Sequence, residues 1–296
     1  MLRSRRFGIA LGLAVTLILP ATASSALAEN EESPIGDSDN SDPYWYEKVD
    51  VRAPGPRAPL DPGAARHFAE MLRADLANST LPPSERAAVR RELRALGIEA
   101  DSGQLQTQVS VMAAPTYKVI STVYHVAQSK GYYCGPASGY MILKYFGMNT
   151  SQYNGAALSQ AALATSSHMN TDVAGATTWT SSRFTIGLNR WAGRNMYYQM
   201  NAPSITSVKS SLRNNIGTSN RPMAADTVEF QGGYHYNGHP DRTIGHWIVA
   251  RGYGNDAATS YWIDPATSYY PNAQAYFAHD TGTFTTRYLQ SNGIVF

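Results

Sequence analysis

Cys134 is the only cysteine among 296 residues, and it stands in Gly131-Tyr132-Tyr133-Cys134-Gly135-Pro136-Ala137. A thiol attacks carbonyl groups only as thiolate, so its chemistry depends on what surrounds it. Pro136 suits the first position of a helix and Gly147 suits its C′ stop, which places Cys134 at, or just before, a helix N-terminus. That end carries unpaired N–H groups and roughly half a positive charge, and both favour the thiolate. Most lone cysteines are small buried hydrophobes. A position between Gly and Pro, outside any apolar run, does not suit that fate.

A thiol working near neutral pH needs a base, and imidazole is the usual one. Of seven histidines, His246 opens an apolar strand, Trp247-Ile248-Val249-Ala250, and so sits on a rigid element. Asp264 closes the next strand, Tyr261-Trp262-Ile263, just before Pro265. A hairpin centred on Asn255, within Gly254-Asn255-Asp256, sets Asp264 across from His246 on one face. A loop extending to Thr259 shifts that register by a few residues. An acceptor there fixes the imidazole tautomer and stabilises its charged form. Gln128, six residues before Cys134, is the candidate oxyanion donor beside the cysteine N–H. His67 falls in a helix, His125 on a strand, and His168 and His279 in polar loops. His235, His239 and Asp241 share a Tyr/Gly-rich loop, a weak metal signal. No metal and no cofactor is expected.

These residues need elements to hold them. Tyr117 to Val126 alternates as a strand does, and the cysteine helix follows. Helices are predicted over 155–164, over 182–191 with Gly193 as stop, and after a Ser204 cap with Gly217 as stop. Strands are predicted over 222–230, 245–253 and 260–264. Helices first and strands after point to an α+β domain, here 116–296.

Upstream, Arg3, Arg5 and Arg6 precede an apolar stretch from Phe7 to Leu19, and small residues run to Ala28. This reads as a secretory signal peptide over 1–28, cut after Ala28, and so as an exported protein. No other segment is long and apolar enough to span a membrane. Residues 29–60 are acidic and then proline-rich, a flexible linker holding Tyr44-Trp45-Tyr46. Asp61 and Pro62 open a helical hairpin with Phe68, Leu72 and Leu76, then Val89, Leu93 and Leu96, on thin apolar stripes. The segment 61–115, hairpin and linker, reads as a spacer or a pro-segment that packs near the active-site cleft. The net charge of +2 argues against a nucleic-acid partner. The partner expected is a peptide or protein substrate, and the oligomeric state is open.

Gln128, the run Cys134-Gly135-Pro136-Ala137, Met141, Gly147, His246 before Trp-Ile-Val, and Asp264 before Pro265 together resemble the bacteriocin leader peptidases. Those are papain-like cysteine peptidases that cut after double glycine, and the closer likeness is to their stand-alone secreted relatives. The resemblance covers roughly 117–296. It implies a papain-like fold, with Cys134 as nucleophile, His246 as base, Asp264 as orienter and Gln128 as oxyanion donor. Peptide hydrolysis, acyl transfer onto a peptide or cell-wall amine, and a non-catalytic binding module of the same fold all stay open from the residues alone.

Overall fold

The structure, a computed structural model, describes residues 59–78, 80–98 and 114–296. The expected signal peptide, nearly all of the acidic linker and most of 101–115 lie outside the described residues. Two helices come first, α1 (Pro62–Ala77) and α2 (Pro83–Ala95). Asp61 caps α1 by accepting the N–H groups of Gly63 and Ala64, and Pro62 fills the first helical position. Next come β1 (Lys118–Val119), α3 (Cys134–Tyr145), α4 (Gln160–Ala164), α5 (Thr171–Ala174) and α6 (Arg183–Ala192). They are followed by β2 (Gln199–Asn201) and α7 (Ile205–Ser211), which continues as a π-helix over Leu212–Thr218. The rest is sheet: β3 (Met223–Glu229), β4 (Ile244–Gly254), β5 (Thr259–Ile263), β6 (Tyr276–Asp280), then α8 (Thr281–Tyr288) and β7 (Gly293–Val295).

All recorded strand pairings are antiparallel, in the order β2-β7-β3-β4-β5-β6. β1 adds to β4 at Gly252 and Tyr253, beyond the last β3 partner at Ala250. Helices thus fill the first half and an antiparallel sheet the second, with the cysteine on a helix and His246 and Asp264 in the sheet half. This is the α+β arrangement that the resemblance implies.

The helix α3 lies on β4. Ser138 Oγ donates to the Trp247 carbonyl at 3.0 Å. The Trp247 indole stacks on Phe184, with centroids 4.1 Å apart, and donates to the Thr177 carbonyl at 2.9 Å. Gly135 permits this closeness, since a Cβ there would meet Thr177 Oγ1 at 2.1 Å. Position 247, and with it 246, is fixed by packing from three elements.

Several elements differ from the sequence reading. The strand expected over 117–126 shrinks to Lys118–Val119, and the chain then loops past the end of β5, where Gln128 N donates to Pro265 O at 2.8 Å. The helix expected from Gly155 begins at Gln160. Pro136 is the third helical residue, not the first, a position whose missing N–H also costs nothing. Gly217 does not stop its helix, which widens into the π form through Thr218. There the Asn214 and Asn215 amides donate to Ser210 and Ser211 carbonyls at 3.0 Å, holding acceptors that the wider register releases.

The hairpin α1–α2 is also placed differently. Its apolar stripe (Phe68, Leu72, Val89, Leu93) belongs to the same core cluster as the sheet. Its polar anchor is Asp75, which accepts from Arg213 Nη2 at 2.7 Å and Nε at 3.2 Å. Arg213 Nη1 donates to Glu85 at 3.0 Å and to the Asp256 carbonyl at 3.1 Å. Asp256 lies in the β4–β5 turn, whereas His246 lies at the start of β4. At ~3.3 Å per residue that separates them by roughly 25 Å. This anchor fixes the hairpin at the end of the sheet away from His246 and Asp264. The stripe found its partner in the back of the domain, not in the cleft.

Candidate active site

Cys134 is the first residue of α3 and only 9 % exposed. Its sulfur accepts a hydrogen bond from the Trp247 backbone N–H, so it sits beside the residue that follows His246. The thiolate expected from the helix end is not what burial dictates. Burial above all, helped by the Asp226 and Asp264 carboxylates, raises the thiol to about 12 against the pull of the Trp247 and Gly135 N–H groups. A helix end helps an exposed sulfur, whereas this one has lost its water. The thiolate therefore needs a cation beside it, and His246 holds the adjacent strand position.

Asp264 follows β5 and caps the 3₁₀ turn Pro265–Ser268, accepting from Ala266 N at 2.8 Å. His246 Nε2 is 2.8 Å from the same oxygen, Oδ1. The pair forms, but not by direct opposition across the ladder. The pairings Val249↔Ile263 and Ala250↔Trp262 put position 264 level with Ile248. The turn takes four residues, with Asn255, Asp256 and Ala257 all left-handed at φ of 51°, 52° and 66°. A slip of two residues preserves the face, so Asp264 still meets His246 from a neighbouring position.

The second oxygen of Asp264 is taken as well. Asn237 Nδ2 and His239 Nε2 both approach Oδ2 at 2.8 Å. The carboxylate is fully buried and holds four donors, close to its capacity. Burial alone would raise its pKa, but the charge of His246 and the hydrogen bonds from His239 and His246 hold it well below the usual carboxylate range. His239 in turn reaches Glu229 through Nδ1 at 2.5 Å. Glu229 Oε2 is 3.0 Å from His235 Nδ1, and His235 Nε2 is 3.0 Å from Asp241, whose side chain is exposed. A row of alternating imidazoles and carboxylates thus runs from His246 to the surface. His239 and Glu229 were not among the site residues read from the sequence. The available signal was a glutamate ending the wholly buried strand β3.

His239 sits between two acceptor-only groups, so both of its ring nitrogens must donate. Burial lowers its pKa, but Asp264 and Glu229 outweigh that and raise it to about 9. The folded pKa lies above the unfolded value of about 6.5, so His239 stabilises the fold fully below that pH and loses its contribution as pH rises through about 9. The expected result is a stability that declines between about pH 6.5 and 9, by an amount of order 3 kcal/mol and read as a falling melting temperature, with a smaller decline in His239→Gln. Thermal melts across that range check it.

One ligand atom from each of His239, His246 and Asp264 lies within 4.8 Å of the others. A metal could use that spacing, but the two Nε2 atoms are already hydrogen-bonded to the carboxylate. Gln128 is buried three residues before Gly131, and its Nε2 donates to the Lys130 and Gly131 carbonyls at 3.0 and 2.7 Å. Both amide hydrogens are thereby engaged, and Oε1 has no partner among the described residues. His125 hydrogen-bonds the Asp264 backbone and is 3.2 Å from Thr267 Oγ1, while His168 meets Trp191 edge-on outside this group.

A buried imidazole–carboxylate pair beside a helix-end thiol is equipped for nucleophilic acyl chemistry. The profile of the Peptidase_C39 like family matches residues 120–294. Among solved structures the chain is similar to xylellain, a cysteine protease from Xylella fastidiosa, at 9% identity and a TM-score of 0.35, over 62% of this chain and 85% of that one. No curated protein matches.

Proposed function

The chain belongs to the Peptidase_C39 like family, and from that premise we propose that it is an exported cysteine peptidase that hydrolyses peptide bonds through Cys134, His246 and Asp264. The observation that carries the reading is the buried His246–Asp264 pair at 2.8 Å on the strand position adjoining the Cys134 sulfur. His246 takes the thiol proton, and the resulting imidazolium stabilises a thiolate that burial otherwise forbids. The thiolate adds to the scissile carbonyl. His246 then returns the proton to the departing amine, leaving an acyl-enzyme that water hydrolyses. Asp264 keeps Nε2 occupied, which leaves Nδ1 for the proton transfers.

The oxyanion meets the first N–H groups of α3, which have no intrahelical acceptors. Gln128 is the proposed side-chain donor. In the resting chain its amide holds the Lys130 and Gly131 carbonyls, so this role requires it to turn when substrate binds. Gln128→Ala should then cost about a hundredfold in kcat with little change in KM. A rise in KM alone would remove Gln128 from the chemistry.

Reaction with a peptidyl epoxide, followed by mass-spectrometric mapping, tests the reading as a whole. Modification at Cys134 in the folded protein, lost in His246→Ala, is the expected result. Absence of modification would overturn it. The expected product of export is a mature chain beginning at Glu29, which N-terminal sequencing of the extracellular protein checks.

A further inference from the structure

Asp264 serves two imidazoles at once. His246 and the Ala266 N–H hold Oδ1; His239 and Asn237 hold Oδ2. The His239 and His246 ring centroids are 5.3 Å apart. His239 is clamped between Glu229 and Asp264, with Tyr236 at 4.5 Å on one side and Tyr270 at 4.7 Å on another. It cannot swing away, and Glu229, on β3, has no exposed route to exchange its partner for water, being 1 % exposed.

We propose that His239 and Glu229 are positioning residues of the peptidase, which clamp the second oxygen of Asp264 and set how much negative charge that carboxylate offers His246. The inference rests on the peptidase reading given above. Electrostatically, the cation on Oδ2 offsets part of the field that Asp264 applies to His246. Glu229, one position further back, returns part of it. Around His239 the facing ionisable groups are Glu229 from β3, Asp264 at the end of β5, His246 from β4, Tyr270 after the 3₁₀ turn and Tyr236 from its own loop. His235 lies behind Glu229, with Asp241 beyond it. His125 also bonds Asp264, but at the Asp264 backbone; on the carboxylate oxygens the imidazoles are His239 and His246. Removal of His239 therefore makes Asp264 a stronger partner for the His246 imidazolium.

The test reads the proton on His246. Opening of a peptidyl epoxide needs the thiolate and the imidazolium together, so its rate falls at high pH as His246 loses its proton. In His239→Gln this alkaline limb should move up by about one pH unit. In the double variant Glu229→Gln/His239→Gln, which removes both charges and leaves neither buried without a partner, the limb should move up by less. The double variant also carries the test if the single one does not fold, an upward shift from wild type being the expected result. A limb that stays in place in the folded variants, or moves down, overturns the proposal, because loss of a merely structural contact lowers the rate without moving the limb. If wild-type Cys134 shows no epoxide reaction at all, the peptidase reading fails first. The two failures are therefore distinct.

Discussion

Cys134→Ala is expected to lower peptide turnover by roughly 10⁴–10⁶-fold while shifting the melting temperature by only a few degrees. The size of the loss follows from the absence of a substitute: this is the only thiol in the chain, and no covalent intermediate forms without it. The small effect on stability follows from its surroundings. Cys134 lies in the first turn of α3, where the helix is held by Ser138 on β4 and by the apolar residues Met141, Ile142 and Leu143 further along. His246→Ala should be nearly as damaging, because the buried thiolate then loses its cation and the leaving amine its acid. Asp264→Ala acts on the same steps indirectly and should retain more activity. Each variant's melting curve separates lost chemistry from lost fold. Near-wild-type turnover by Cys134→Ala on any substrate would end the nucleophile assignment.

The second large effect lies at the far end of the molecule. Asp75→Ala should destabilise the protein by about 3–5 kcal/mol, read from urea unfolding. Arg213 is 1 % exposed and Asp75 2 % exposed, so neither charge has water to fall back on. Asn214 Nδ2 also donates to Asp75, at 3.0 Å, and would lose that acceptor. The remaining anchor, Glu85, is shared with Lys209 at 2.7 Å and only partly buried. Truncation to a start at Tyr117 removes Asp75 and Glu85 together and uncovers the apolar surface under Phe68, Leu72, Val89 and Leu93. Such a chain should be less stable and no more active than the protein that carries the hairpin. A stable and more active truncated form would restore the inhibitory pro-segment. An Asp75→Ala change worth less than about 1 kcal/mol would show that the ion pair does not hold the hairpin.

The sequence made some of this legible through local signals. A cysteine in a Gly/Pro turn, a histidine at the lip of an apolar run and an Asp-Pro at the end of another each break a pattern that packing alone would keep. The α+β class followed from where helical spacing gives way to alternation. The hairpin register was nearly legible and slipped because three left-handed residues in a row lengthen the turn. No sequence signal marks that choice when the residues are Asn, Asp and Ala. The short strands β2 and β7 were missed because three residues carry too little periodicity; they exist because the sheet edge and Phe296 supply their burial. His239 and Glu229 were not recognised as partners because they meet only through the fold, ten residues apart across an irregular loop. The raised thiol pKa was missed for the same reason, since a helix N-terminus is visible in sequence and the depth of burial above it is not.

The ionisation of Cys134 tests the proposed catalytic pair most directly. The measurement is the rate of alkylation by iodoacetamide from pH 4 to 10, in wild type and in His246→Ala. With one cysteine, the adduct has a single site. Wild type should show thiolate reactivity already below pH 7, because the His246 imidazolium compensates for burial. In His246→Ala that limb should vanish, leaving only the high-pH ionisation that burial imposes on the thiol. Superimposable profiles in the two proteins would contradict the pairing of Cys134 with His246.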